Sequence, residues 1–135
     1  MPILGLSHVT FVVRDLKRTA VLWQQALGAE EIYDSGSRAF SLSPEKFFLV
    51  GGVWMAIMQG NPADRSYRHV AFAVQECELL QFERKRRALG AEIKTSRPRA
   101  EGEGQSLYFY DYDNNLIELH TGTLGERLRS YTNAA

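Results

Sequence analysis

Apolar and polar residues alternate over short stretches of this chain and recur at helical spacing between them. Val9, Phe11 and Val13 fall on one side of an extended segment that opens at His8, with His8 and Thr10 on the other side. Val70, Phe72 and Val74 repeat the arrangement after His69, which shares its side with Tyr67 and Ala71. Leu16, Ala20, Trp23 and Leu27 lie on one face of a helix that Asp15 starts and Gly28 stops. A second helix is predicted over Glu76 to Leu89, with Leu79, Phe82 and Leu89 as its apolar stripe and Arg84 to Arg87 as a solvated basic run. Strands are expected at Ala29 to Asp34, Arg38 to Leu42, Phe47 to Val50 and Trp54 to Gln59 in the first half, and at Ala91 to Thr95, Ser106 to Tyr110 and Asn115 to His120 in the second. Asp113, Asn114 and Asn115 read as a tight turn, Arg97 to Gln105 as a long loop, and Leu124 to Tyr131 as a short terminal helix.

The two halves are copies of one unit. HVTFVVRD, from His8, realigns with HVAFAVQE 61 residues later, at His69, and ALGAE recurs at Ala26 and Ala88. Each copy is short for a free-standing fold, so the pattern points to a single α+β domain over residues 1–135. Module one spans about 4–60, module two about 66–122 and a helical tail about 124–131, with Asn61 to Asp64 as linker.

Composition narrows the function. A chain of 135 residues, 44% hydrophobic, can bury a core without disulfides or a structural metal, so a bound metal would serve function. Sixteen basic side chains against sixteen acidic ones leave no cationic excess for a general nucleic-acid binder. Cys77, the single cysteine, forms no internal disulfide, and neither a membrane span nor a signal-peptide pattern is visible, so a cytoplasmic setting is expected. Cys77 reads as a packing residue more than a nucleophile, and Tyr108, Phe109, Tyr110 and Tyr112 as core and pocket wall.

Three residues suggest chemistry. The module symmetry puts His8 and His69 on the side of the sheet away from the helices, and Glu118 projects from LIELH opposite Ile117 and Leu119. Burying a carboxylate without a partner costs several kcal/mol, and a divalent cation is one partner that offsets it. Two imidazoles and one carboxylate suit Mn, Fe, Co, Ni or Zn and leave open positions for water or substrate. The repeat sets Ile57 opposite Glu118, so the first module supplies no matching carboxylate. From pattern alone, two capped strand-end histidines and a surface glutamate stand as the alternative.

With the paired modules and these residues in hand, the chain resembles the vicinal oxygen chelate, or glyoxalase-like, superfamily over nearly its whole length. SLSPEKFFLVGGVWMAIMQG from Ser41, RPRAEGEGQSLYFYDYDN from Arg97 and ELHTGTLGERL from Glu118 are similar to the fosfomycin resistance proteins, above all the branch that hydrolyses the epoxide of that antibiotic. The resemblance implies paired βαβββ modules forming a cupped, metal-centred mixed sheet in a domain-swapped homodimer. Each metal site would then be assembled from modules of both chains.

It also implies Mn(II), with other divalent transition metals possible, held by His8, His69 and Glu118, and Glu45 as general base acting on water. Phosphonate contacts carried over in the same way are Thr10, Lys94, Ser106, Tyr108 and Arg127, with Arg99 a loop candidate; Arg127 is the firmest, because a guanidinium can pair two phosphonate oxygens. Thiol-transferring relatives carry a potassium-binding loop, from which the segment Arg97 to Gln105 departs in length and arginine content, so no potassium is expected.

The competing readings are a glutathione transferase opening the same epoxide, a dioxygenase or isomerase of the same fold, and a protein that binds the drug without altering it. A product assay without thiol separates the first from hydrolysis. Oxygen uptake with a catechol and Fe(II) would favour the second, and copurification without metal the third.

Overall fold

In this computed structural model residues 2–94 and 101–134 are described. The order is β1 (His8–Val13), α1 (Leu16–Leu27), β2 (Glu30–Asp34), β3 (Glu45–Val50), β4 (Val53–Gln59), β5 (His69–Ala73), α2 (Glu76–Leu89), β6 (Glu92–Lys94), β7 (Ser106–Tyr110), β8 (Leu116–His120) and α3 (Leu124–Ala134). Contacts divide it into two compact units, Met1–Asp64 and Arg65–Ala135. Each holds one four-stranded mixed sheet with the same connectivity, β1-β4-β3-β2 in the first and β5-β8-β7-β6 in the second. In both, the opening strand runs parallel to the last strand of its module and the other pairings are antiparallel. Two βαβββ modules are thus present, as the repeat and the resemblance led us to expect.

Local chemistry explains the helices. The Asp15 carboxylate accepts from the Arg18 N–H at 3.1 Å and caps α1, a contact typically worth ~1 kcal/mol. Gly28 closes the helix with φ 63°, a conformation that costs glycine little. Trp23 is fully buried and packs against Phe11 of β1 and Phe48 of β3, at ring-centroid distances of 5.7 and 5.3 Å. In the second unit Leu79, Phe82 and Leu89 are buried, and Phe82 lies 4.6 Å from Phe109 of β7. Arg84 and Lys85 are exposed, as a solvated face requires. Cys77 is exposed as well, which corrects its reading as a packing residue: the apolar stripe of α2 runs through Leu79 and Phe82 and leaves position 77 on the solvent side.

One expected strand is absent. Arg38 to Leu42 has no ladder partner and lies in the loop between β2 and β3. Gly36, at φ 65°, turns the chain directly after β2, its N–H donating to Asp34 Oδ1 at 2.8 Å. Phe40 and Leu42, whose alternation mimicked a strand, are 68% and 90% exposed in this unit. The turn before β8 is as predicted: Asn114 takes φ 68°, and Asp111 Oδ1 accepts from the N–H groups of Asp113 and Asn115 at 2.8 and 2.9 Å. Burial pushes the Asp111 carboxyl up from its ordinary value, against the pull of hydrogen bonds from Asn115 and Asp113.

Candidate metal centre and active site

The strand registers decide which side chains share a face. Across the second sheet Ala71, Glu118, Tyr108 and Lys94 form one row; His69, Leu116 and Tyr110 form the row on one side, and Ala73, His120 and Ser106 the row on the other. His69, Lys94, Ser106, Tyr108 and Glu118 therefore all project from one face. The opposite face carries Phe109, which packs on α2. In the first sheet His8 lies opposite Trp54, Thr10 opposite Ala56 and Phe47, and Val12 opposite Met58, which pairs with Glu45. His8, Thr10 and Glu45 share the face away from Phe11 and α1.

His69 and Glu118 meet. His69 Nδ1 lies 2.7 Å from the Tyr67 carbonyl oxygen, an acceptor that only a ring N–H can satisfy. That contact puts a proton on Nδ1 and leaves Nε2 facing Glu118 Oε1 at 3.0 Å, free to present a lone pair to a metal when the ring is neutral. A lone pair and an anionic oxygen at that distance repel unless a proton or a cation lies between or beside them. Two ligands each about 2.1 Å from one cation, at neighbouring octahedral positions, are separated by about this distance. Glu118 is 3% exposed, so its charge is shielded from water and calls for a counter-charge. The donor set, the tautomer and the spacing fit a divalent metal.

Glu118 Oε2 is also held, accepting from Ser106 Oγ at 2.5 Å and lying 3.4 Å from His120 Nδ1. His120 Nδ1 is 2.6 Å from Ser106 Oγ, and Arg127 Nη2 lies 3.3 Å from His120 Nε2. Arg127 Nε is 3.6 Å from the fully buried Glu103, to whose Oε1 the Tyr131 hydroxyl donates at 2.7 Å. Lys94 Nζ stands 5.3 Å from the Tyr67 ring centre and 6.0 Å from that of Tyr108, and the two tyrosine hydroxyls are 3.0 Å apart.

In the first unit His8 stacks on Trp54 with ring centroids 4.1 Å apart, and its Nδ1 lies 3.0 Å from Ser7 Oγ. Glu45 is half-buried at the start of β3, with its backbone bonded to Ser35. The neighbouring Lys46 points through the other face to Glu31 and Asp34, at 2.9 Å each. Burial alone would lower the Lys46 ammonium, but the hydrogen bonds it donates to Glu31 and Asp34 outweigh it and hold it above the ordinary lysine value. Asp34 is held below the usual carboxylate range, first by the Gly36 N–H and then by Lys46.

Within neither unit, among the described residues, do three His, Cys, Asp or Glu side chains gather into a metal centre. The second unit supplies the pair His69 and Glu118; His8 belongs to the first. Arg99 lies outside the described residues. Sequence reasoning missed His120, Ser35 and Glu103. The two-residue period of LIELH puts His120 on the face of Glu118 and could have revealed it, whereas nothing in the pattern marks Glu103 or Ser35.

The family model described as Glyoxalase/Bleomycin resistance protein/Dioxygenase superfamily matches residues 5–119. Fosfomycin resistance protein FosX of Listeria monocytogenes serovar 1/2a is 52% identical over 128 residues, covering 94% of this chain and 96% of the relative. FosX of Mesorhizobium japonicum is 51% identical, covering 92% and 90%. A crystal structure of a FosX variant from Listeria monocytogenes, complexed with Mn(II) and 1S,2S-dihydroxypropylphosphonic acid, superposes with a TM-score of 0.86 at 49% identity, covering 96% of this chain and 98% of that one. The chain belongs to the glyoxalase superfamily and, within it, to the family of FosX fosfomycin resistance proteins.

Proposed function

We propose that the protein adds water to the epoxide of fosfomycin in an Mn(II)-dependent reaction and so confers resistance to the antibiotic. The observation that carries this is the ligand pair in the FosX structure at 49% identity, Mn(II) with a dihydroxypropylphosphonic acid. That acid is the vicinal diol which hydration of the fosfomycin epoxide yields. The chain's own geometry agrees with it: His69 offers a lone pair beside a buried carboxylate, and Glu45 shares a sheet face with His8.

In this reading His8, His69 and Glu118 hold the metal, which when bound supplies Lewis acidity toward the epoxide and phosphonate oxygens. Glu45 takes a proton from water as the water oxygen bonds to an epoxide carbon. The C–O bond from that carbon to the ring oxygen breaks, the oxygen stays on the neighbouring carbon and takes up a proton to become a hydroxyl, and Glu45 gives its own proton back to solvent, so the net change is the addition of one water. A positioned general base typically contributes about 10²- to 10⁴-fold. Thr10, Lys94, Tyr108 and Arg127 are the phosphonate donors we carry forward. Ser106 commits its only proton to Glu118 and offers the phosphonate no donor in this arrangement.

We further propose a homodimer in which the first unit of one protomer and the second unit of its partner complete each site. The free, exposed Cys77 suits the reducing cytoplasm; among the described residues no helix is long and apolar enough to cross a membrane.

The test is incubation of the purified protein with Mn(II) and fosfomycin, without thiol, followed by phosphorus NMR. The diol signal is the expected result. Product that forms only when glutathione is added would replace hydrolysis with thiol transfer, and no product in either case would end the proposal.

A further inference from the structure

Hydrogen-bond polarity runs in one direction along the row of side chains behind Glu118. A carboxylate only accepts and a guanidinium only donates, so the two ends of the chain are fixed. Ser106 has one proton and gives it to Glu118 Oε2, so toward His120 it must accept, and His120 Nδ1 must carry the proton. The other imidazole nitrogen, Nε2, is then the acceptor for Arg127 Nη2. Arg127, His120, Ser106 and Glu118 thus form an unbroken line of donors and acceptors in which the neutral His120 is satisfied on both sides. Two glycines leave room for the imidazole edge. A Cβ on Gly122 would lie 2.8 Å from His120 Nε2 and 2.4 Å from the Glu103 carbonyl oxygen, and one on Gly104, at φ 97°, would lie 2.8 Å from the Gly122 nitrogen.

We infer that His120 is a positioning residue for the metal-binding carboxylate, acting through Ser106 to fix the rotation of Glu118 so that Oε1 is presented beside His69 Nε2. This rests on the reading of Glu118 as a ligand. Without the restraint on Oε2 the carboxylate could turn about its terminal bond, and Oε1 would be spread over positions of which few suit a cation shared with His69. Outer groups of this kind typically contribute about 10- to 100-fold in metal affinity.

The two nitrogens of His120 separate positioning from bulk packing. Asparagine places an amide nitrogen near where Nδ1 lies and can still donate to Ser106, whereas leucine fills the space with no donor. Mn(II) affinity is read from the loss of the electron paramagnetic resonance signal of the free ion, with thermal midpoints taken in chelator to report folding separately. His120→Leu and Ser106→Ala are each expected to weaken Mn(II) by about 10- to 100-fold, with the double variant little worse than either, because both cut the same line. His120→Asn is expected to keep affinity within about threefold of the unaltered protein and to restore its bound-metal spectrum. Unchanged affinity in His120→Leu and Ser106→Ala, or a His120→Asn as weak as His120→Leu, would overturn the inference while the unaltered protein still binds Mn(II). If the unaltered protein bound no Mn(II), the metal reading itself would fall, and this inference with it. Should His120→Leu fail to fold, Ser106→Ala and His120→Asn decide the matter alone.

Discussion

Ser35 and Glu45 hold one another by two hydrogen bonds: the Glu45 N–H donates to Ser35 Oγ at 2.9 Å, and the Ser35 N–H donates to the Glu45 carbonyl oxygen at 3.1 Å. Glu45 is the first residue of β3, where a ladder would otherwise fray. Alongside it Ser43 Oγ donates to the Gln59 carbonyl oxygen and the Gln59 N–H to that of Pro44, at 2.6 and 2.9 Å. Glu45, the base we propose, is thus mounted on a backbone fixed from both sides. Ser35 is 3% exposed, so Ser35→Ala leaves the Glu45 N–H short of a partner away from water. A loss of about 1–3 kcal/mol in denaturant unfolding is expected. Since the carboxylate is displaced but not removed, kcat should fall on the order of tenfold while KM changes little; an unaltered kcat would show that Glu45 does not depend on this mount.

Glu45→Gln tests the proposed base directly. The amide keeps the size of the side chain and cannot take a proton from water. Turnover is expected to drop about 10²- to 10⁴-fold. Mn(II) affinity should stay as it was, because Glu45 is not among the proposed ligands. A parallel loss of metal would move Glu45 into the metal centre instead.

Much of this was legible in the sequence, and the reasons are local. Asp15 and Gly28 bound α1 because capping and left-handed backbone are short-range chemistry, and the register of His69 and Glu118 follows from the two-residue period of strands. The repeat carried the sheet order twice over. Arg38 to Leu42 misled because alternation at Phe40 and Leu42 marks apolar positions, not their pairing, and the turn at Gly36 takes that segment off the ladder. Cys77 misled because one apolar residue in a helix does not reveal which face it occupies. The line from Glu118 to Arg127 was hidden for a different reason: it joins β7, β8 and α3, and no spacing along the chain announces such a meeting.

The ion triad on the α1 side of the first sheet has a pH signature. Asp34 is depressed, so its contribution is present above the ordinary aspartate value and is lost as pH falls through the lower folded one. Lys46 is raised, so its contribution is present below the ordinary lysine value and is lost as pH rises through the higher folded one. The side chains of Asp34 and Glu31 are 48% and 30% exposed, which limits each pair to about 1 kcal/mol or less. Comparing thermal midpoints of the unaltered protein with Lys46→Met across pH should give a constant difference between about pH 5 and pH 9. Below and above that window the unaltered protein should lose ground relative to the variant. A difference that stays flat to both extremes would mean the pairs contribute nothing.

The allocation of the proposed ligands between the two units makes a prediction about mixtures. His8 lies in the first unit and His69 in the second, and neither unit by itself gathers three ligands among the described residues. His8→Ala and His69→Ala should each be inactive as homodimers. If each site takes its first unit from one protomer and its second from the other, a mixed dimer has one site lacking both imidazoles and one site that is intact. Unfolding and refolding the two variants together at equal concentration makes half of the dimers mixed, so activity should return to about one quarter of that of the unaltered protein. A site completed within a single chain gives no such recovery, because every site in the mixture then lacks one histidine. Mn(II) bound per dimer should follow the same pattern, which ties the recovered activity to restored metal sites.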